Sequence, residues 1–402
     1  MQESNNSIHN FEQCVKCSVC NAWCPVLKVN PLYIGPKQAG PDGERLRLKD
    51  PAFFENNLKM CLNCKRCEVA CPSGVKVADL IQSARDKYAG RKLPKVRDYM
   101  LASTDLMGSV AAPFAPIVNG VLGLKPVKYA MDGVLAIDHR RTFPKYSADS
   151  FVAWFRRAEL DRQRFFPRQV NYFHGCYVNY NYPQLGKDLV KVLNALGVGI
   201  NLIKGEKCCG VAMISAGMFK KARSNAERNI DAFIHTDGPI LTSSTTCALT
   251  MRDEYPDVLG VDNSQIRQRI TLATKYIYGL ITDGKAKLEF RRDFKARVAY
   301  HCPCHQEKLG WSFYTVELLK MVPGLELIEL DSCCCGIGGT YGFKKENYNT
   351  AQDIGKPLFD QIKEVNPDYV ACECETCKWQ IEMSCGYKVL NPISILAEAL
   401  IQ

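Results

Sequence analysis

The amino terminus, Met1-Gln2-Glu3-Ser4-Asn5-Asn6, has neither a basic n-region nor an apolar h-region, so nothing in it reads as a secretory signal. No Gly-x-x-x-x-Gly-Lys-Ser/Thr loop is present, and no Gly-x-Gly-x-x-Gly follows a strand; Gly336-Ile337-Gly338-Gly339 has the wrong glycine phase and gives backbone room beside Cys335. The chain thus offers no flavin or nicotinamide site of its own and cannot take a hydride pair from an organic donor by itself. No signature of a nucleic-acid-binding fold occurs, which argues against a nucleic-acid partner. What is abundant is cysteine, with 21 in 402 residues. Disulfides would need an oxidising compartment. Without a secretory signal, metal binding is the consistent use for so many thiols.

Eight of these cysteines repeat one spacing. Cys14, Cys17, Cys20 and Cys24 precede Pro25, and Cys61, Cys64, Cys67 and Cys71 precede Pro72. Each run reads Cys-x₂-Cys-x₂-Cys-x₃-Cys-Pro, the arrangement that holds a cubane [4Fe–4S] cluster, with the fourth cysteine reaching the other cluster of a pair. The spacing therefore assigns Cys14, Cys17, Cys20 and Cys71 to one cluster, and Cys61, Cys64, Cys67 and Cys24 to the second. Structural zinc requires two Cys-x₂-Cys pairs with a longer gap, and a third cysteine in register is foreign to that pattern. Between the runs lies a Pro/Gly-rich loop (Pro31 to Gly43). A short helix is expected after it, with Asp50 as N-cap and Pro51 at the first helical position. Leu80, Ala84 and Tyr88 recur at helical period. With little β signal between, a helical two-cluster ferredoxin domain is expected over residues 1–95.

Residues 96–168 read as a connector that is both cationic and apolar. The net charge of the chain is +10, and residues 85–168 alone hold 16 Lys plus Arg against 8 Asp plus Glu. Such a segment favours an anionic partner, and in the absence of nucleic-acid signatures that means a membrane leaflet. Leu106 to Leu124 runs nineteen residues without a charge, flanked by Asp105, Lys125 and Lys128. Its length suits a membrane span, but Pro113, Pro116, Asn119 and three glycines would kink it twice. A segment at the bilayer interface or a buried apolar linker is the expectation instead.

Residues 169–402 form a tandem repeat. Cys176 to Cys304 is 128 positions, Cys209 to Cys335 is 126, and Cys247 to Cys374 is 127. Each unit carries a Cys-Cys-Gly step, Cys208-Cys209-Gly210 and Cys334-Cys335-Gly336. The first unit reads as strand 169–173, helix 183–196, strand 200–203 and strand 239–241, an alternation that indicates a parallel α/β sheet with sites at the strand ends. Two α/β cysteine-rich domains, 169–290 and 291–402, are therefore expected.

The second unit offers Cys304, Cys334, Cys335, Cys374 and Cys377. Five soft ligands exceed the needs of one zinc ion, so a further iron–sulfur cluster is favoured there over zinc. The first unit offers Cys176, Cys208, Cys209 and Cys247, with Thr250 where the last cysteine would stand; zinc, a diminished cluster and an empty structural site all suit it. Cys302, Cys333, Cys372 and Cys385 lie off the repeat and read as bystanders. His174 and His301 each stand just before a repeat cysteine, with hydrogen bonding at a strand end as the expected role.

Two cubane motifs followed by two Cys-Cys-Gly units resemble the iron–sulfur electron-transfer subunits related to heterodisulfide reductase. Within that group the chain is similar over its whole length to the C subunits of anaerobic glycerol-3-phosphate dehydrogenases. Four strings carry the closer likeness: 35–45 (GPKQAGPDGER), 138–142 (DHRRT), 341–347 (YGFKKEN) and 374–383 (CETCKWQIEM). The resemblance implies a non-catalytic electron-transfer subunit that partners flavin-containing catalytic subunits oxidising sn-glycerol 3-phosphate to dihydroxyacetone phosphate. Electrons would pass to membrane quinone, with the chain anchoring the complex peripherally on the cytoplasmic face of the inner membrane. The alternatives are an iron–sulfur subunit of another flavin-linked dehydrogenase, for lactate or glycolate, and a heterodisulfide-reductase-like thiol–disulfide or quinone reductase acting at the second Cys-Cys-Gly site.

Overall fold

The structure, a computed structural model, describes residues 10–53, 56–88 and 95–401. Its architecture is helical at the amino-terminal end and α/β thereafter. Among the described residues before 168 there is no extended strand longer than an isolated bridge.

The cysteine runs are short loops closed by single helical turns, Val19–Ala22 and Arg66–Val69, each followed by its Cys-Pro step. Pro25 occupies the first turn of helix Pro25–Val29, where its missing N–H is not needed. Two local expectations are corrected here. The Pro/Gly stretch is helical from Gln38, where five residues of wide π-turn run into helix Gly43–Lys49. Asp50 then ends that helix as its C-cap rather than starting another, and Phe54 and Glu55 lie outside the described residues. The proline-and-glycine composition hid this helix, which is held by buried Arg47 donating to Ala39 O and to Glu44. Helix Val77–Tyr88 follows the expected period and buries Leu80, Ile81 and Ala84.

Each repeat builds a four-stranded parallel sheet. In the first, β1 (Arg168–Tyr172) is flanked by β2 (Val198–Leu202) and β3 (Ile240–Thr242), and β4 (Ile270–Leu272) lies outside β3. In the second, β5 (Ala296–Tyr300) lies between β6 (Leu325–Glu329) and β7 (Tyr369–Ala371), with β8 (Val389–Leu390) at the edge. The matching order β2-β1-β3-β4 and β6-β5-β7-β8 is the structural counterpart of the cysteine repeat. The two units are fused through one core. Helix Pro183–Ala195 packs on the last helix, Pro392–Ala399, and helix Ala273–Thr282 packs on Ser312–Lys320, an exchange of like elements about a pseudo-twofold. Leu189, Leu193, Ile277, Leu318 and Leu396 are buried there, each contributing about 1.5–3 kcal/mol of apolar burial.

The connector is mostly helical: Val96–Ala102, Thr104–Ala111, a single 3₁₀ turn Ala112–Phe114, Ala115–Gly123 and Lys125–Leu135. The prolines thus leave one interruption rather than two kinks, because Pro113 and Pro116 each sit in the first turn of their segment. Taken together, Thr104–Gly123 is long and apolar enough to cross a membrane by length and composition. Its inner face is small: Gly108, Ala112 and Ala115 are buried, and a Cβ on Gly108 would lie 2.3 Å from the Tyr180 ring. Its outer face exposes Leu106, Val110, Phe114, Ile117 and Val121.

Candidate metal centres

The two ferredoxin-type loops share an unusual backbone. Lys16 and Ser18 bracket Cys17 at φ 60° and 65°, and Asn63 and Lys65 bracket Cys64 at φ 57° and 63°. Non-glycine residues rarely adopt this left-handed region. Left-handed residues flanking a cysteine turn the chain sharply, and concavities of backbone N–H groups built in this way suit anions and are common at Fe–S sites. Asn63 N donates to Cys61 Sγ at 3.4 Å and Val75 N to Cys71 Sγ at 3.3 Å.

Cys14, Cys17, Cys20 and Cys71 line one small cavity, together with Lys37, Pro41 and Pro72. Cys24 lies instead among Cys61, Cys64 and Cys67, with the Tyr33 phenol beside all four. Burial pushes the Cys20 thiol up to about 11, Cys61 to about 11 and Cys24 to about 12, and neighbouring thiols add to the rise for Cys20 and Cys24. Such thiols become thiolates only when a cation shares the pocket, so two four-sulfur pockets fit two cubane clusters.

Cys304, Cys334, Cys335, Cys374 and Cys377 follow the carboxyl ends of β5, β6 and β7 and line a single cavity of about 70 Å³. That is several times the space one water needs, so the cavity admits a polyatomic group. Cys335 and Cys377 sulfurs are 3.2 Å apart, and Gly336 N donates to Cys334 Sγ at 3.4 Å. Cys64 lines the same cavity, within hydrogen-bonding reach of Cys304 and Cys334, and these contacts hold its thiol well below the usual range. Around this junction His305 Nε2 meets Asn63 O at 3.0 Å, while Arg66 donates to Glu307 at 3.0 Å and to Ser332 at 2.7 Å. The loop of the second cubane motif is therefore docked on the second Cys-Cys-Gly unit, a contact that no sequence spacing announces.

In the first unit Cys176, Cys208, Cys209 and Cys247 also converge at the ends of β1, β2 and β3. Cys176 and Cys208 sulfurs lie 3.8 Å apart, and Cys209 is within reach of Cys208 and Cys247. The connector caps this group: Asp105 accepts from Cys208 N at 2.6 Å, and burial pushes its carboxyl up to about 7. Thr250 donates to Glu254 rather than facing the thiols.

The histidines differ between units. His174 is satisfied, its Nδ1 lying 3.0 Å from Glu206 and 2.9 Å from Gly175 O. His301 is fully buried with neither ring nitrogen hydrogen-bonded, and burial holds its pKa down at about 4, so it is neutral. Its nearest donor groups are Cys377 and Cys372, all three donor atoms lying within 4.8 Å of one another. Cys372 had no motif to mark it, yet the repeat register held a signal: Thr245 and Thr250 occupy the places of Cys372 and Cys377.

Comparison with known proteins adds the family. The 4Fe-4S dicluster domain family matches residues 10–75, and the cysteine-rich domain family matches 170–252 and again 298–382. The C subunit of anaerobic glycerol-3-phosphate dehydrogenase from Escherichia coli (strain K12) is 55% identical over 395 residues, 97% of this chain and 99% of that protein. The chain belongs to this C-subunit family. More distant are a fumarate reductase (CoM/CoB) subunit of Methanothermobacter marburgensis, 25% identical over 95% of this chain and 70% of its own length, and lactate utilization protein A of a Geobacillus species, 32% identical over 51% and 87%. As a member of the C-subunit family the chain is an iron–sulfur electron-transfer subunit, with a [4Fe–4S] dicluster domain ahead of two cysteine-rich domains.

Proposed function

We propose that this chain conducts electrons from flavin-containing catalytic subunits, which oxidise sn-glycerol 3-phosphate to dihydroxyacetone phosphate, to membrane quinone. In this reading Cys14, Cys17, Cys20 and Cys71 hold one cubane cluster, and Cys61, Cys64, Cys67 and Cys24 hold the other. Cys304, Cys334, Cys335, Cys374 and Cys377 hold a further metal group, iron–sulfur in preference to zinc on ligand number and softness. Iron–sulfur groups supply one-electron carriers whose potentials respond to charge, hydrogen bonds and exposure. The units divide at 1–95, 96–168, 169–290 and 291–402.

The observation that carries the reading is Cys64. Its sulfur belongs to the second cubane loop and also lines the cavity of the Cys-Cys-Gly site. Two carriers that share a wall need no intervening protein, and electron tunnelling falls steeply with distance. The exposed apolar face of Thr104–Gly123 and the cationic flanks of the connector support peripheral attachment to the cytoplasmic face of the inner membrane. The test is the anaerobically purified complex in EPR. Glycerol 3-phosphate should reduce the clusters, so that the signals of the reduced [4Fe–4S] state appear, and a short-chain quinone should reoxidise the clusters and remove those signals. Signals that answer to lactate or glycolate, and not to glycerol 3-phosphate, would replace this reading with that of another flavin-linked dehydrogenase.

A further inference from the structure

We propose that Arg141 is the counter-cation of the second Cys-Cys-Gly site, a buried guanidinium that offsets the negative charge of the thiolate-held group and raises its reduction potential. The inference rests on reading that site as an iron–sulfur centre, and adds to it a residue of the connector that no cysteine pattern marks.

Arg141 is 1% exposed, one of the largest fully buried side chains of the protein. Arginine is almost never buried to this degree without a paired anion. Among the described residues no carboxylate fills that role. Nη1 donates to the Gln380 amide oxygen and approaches Met383 Sδ at 3.8 Å, while Nε and Nη2 have no hydrogen-bond partner. Asp138, three positions earlier, is taken by Arg140, which donates to its two oxygens at 2.8 and 2.7 Å. The rings of Tyr348 and Phe343, centred 4.8 and 5.5 Å from the guanidinium carbon, supply an attractive face but no full charge. Burial lowers the pKa only to about 10, so the group is charged at neutral pH. A buried charge left in this state is costly, and its position shows which anion relieves it.

That position is directly behind the thiols of the second unit. Gln380 stands three residues after Cys377 on helix Glu375–Cys385, one turn further along the same face. On the other side, a Cβ at Gly342 would meet Arg141 Nη2 at 2.7 Å and the Cα of Ile337 at 3.2 Å, two residues beyond Cys335. The guanidinium therefore lies against both the stretch that follows Cys335 and the helix that carries Cys377, and negative charge on Cys335 favours it. The five thiolates of this cavity outweigh a dipositive metal core, so the loaded site is an anion. Reduction adds one more negative charge. A fixed cation beside it, out of water, stabilises the reduced form more than the oxidised one. In the first repeat the connector supplies the opposite sign, with Asp105 accepting from Cys208 N at 2.6 Å.

The test is a redox titration followed by EPR on full-length protein purified anaerobically, with iron and zinc counted per chain. Arg141→Met should make one-electron reduction of the second-unit centre about tenfold less favourable, a shift of about 59 mV to lower potential, and move the cubane signals less. Arg141→Lys keeps the charge and should recover most of the shift. A melting experiment covers the case in which Arg141→Met fails to hold the metal. With Cys335→Ala and Cys377→Ala in the same chain the anion is gone, and adding Arg141→Met should raise the melting temperature by removing an unpaired buried charge. An unmoved potential in Arg141→Met, an equal shift in Arg141→Lys, or a lower melting temperature in the thiol-depleted chain would make Arg141 a packing residue and overturn the proposal. Wild-type protein that holds only the eight cubane irons overturns instead the parent reading of the second unit as an iron–sulfur centre.

Discussion

Thr250 donates to Glu254 at 2.7 Å, at the position where the second repeat has Cys377. The pair holds two parts of the molecule together. Glu254 is fully buried, accepts from Asn63, and lies 3.2 Å from the Lys65 ammonium, which also pairs with Asp79. Burial alone would raise the Glu254 carboxyl, but Lys65 and the hydrogen bonds from Thr250 and Asn63 hold it below the usual range. Removing one partner of a buried pair leaves an uncompensated charge, at a cost of about 3–5 kcal/mol. Lys65 keeps Asp79, so Glu254→Leu should cost about 3 kcal/mol, and Thr250→Val, which removes one hydrogen bond, about 1–2 kcal/mol. Thermal melts of anaerobically loaded protein check the order. Equal stability of Glu254→Leu and wild type would show that Lys65 needs only Asp79.

A second prediction follows from where Cys24 and Cys71 sit. Cys71 lines the cavity of Cys14, Cys17 and Cys20, and Cys24 lies with Cys61, Cys64 and Cys67. Replacing Cys24 with Ser should therefore disturb the cluster of the second motif, and Cys71→Ser that of the first. EPR on the two variants separates the cases. Loss of the first motif's signal in Cys24→Ser, with the other intact, would mean that each motif keeps its own fourth cysteine.

Much of this arrangement was legible in the sequence because cysteine spacing is a statement about ligand geometry. The doubled cubane run and the register of Cys176, Cys209 and Cys247 with Cys304, Cys335 and Cys374 lead to a helical dicluster domain and two α/β units. Strand 168–172 and helix 183–195 lie within a residue of expectation. The helix at 43–49 was hidden because proline and glycine upstream of it read as loop, whereas buried Arg47 ties that stretch down through backbone carbonyls. Contacts between distant segments were out of reach for a different reason. Cys64 against Cys304, and Lys65 against Glu254, are set by how whole units pack, and no local pattern encodes them.

The Cys-Cys-Gly glycines offer a third test, since the two copies differ in what surrounds them. Gly336 has φ +86°, and a Cβ there would fall 2.0 Å from Ala351 O, a backbone atom of helix Tyr348–Val365. Gly210 has φ +96°, but its nearest neighbour would be the Ala222 side chain at 3.4 Å. Gly210→Ala should cost the left-handed strain alone, about 1–2 kcal/mol. Gly336→Ala must also push the helix away, moving Cys334 and Cys335, and should lose metal from the second unit before it loses the cubane irons. Metal analysis of both variants checks this. Equal metal content in the two would mean that the helix yields without disturbing the thiols.

The connector gives the last prediction. Leu106, Val110, Phe114, Ile117 and Val121 recur at helical spacing along one face and are 43% to 68% exposed. The opposite face is fixed to the body of the protein by Gly108, Ala112 and Ala115, so this helix cannot leave its seat without opening that contact. A helix held in this way presents its apolar stripe to a surface rather than threading through a bilayer. Apolar insertion and basic residues together give firm interfacial binding, each basic residue near an anionic leaflet adding about 1 kcal/mol. Full-length protein should therefore float with anionic vesicles, less at high salt as the Debye length shortens, and poorly with neutral ones. The double variant Phe114→Glu, Ile117→Glu should abolish flotation without lowering the iron count, since both side chains are well exposed and outside the buried core. Flotation that survives high salt and alkaline washing would mean that Thr104–Gly123 inserts across the membrane after all. No flotation under any condition, with stoichiometric capture by the flavoprotein subunits, would make the stripe a protein-docking face.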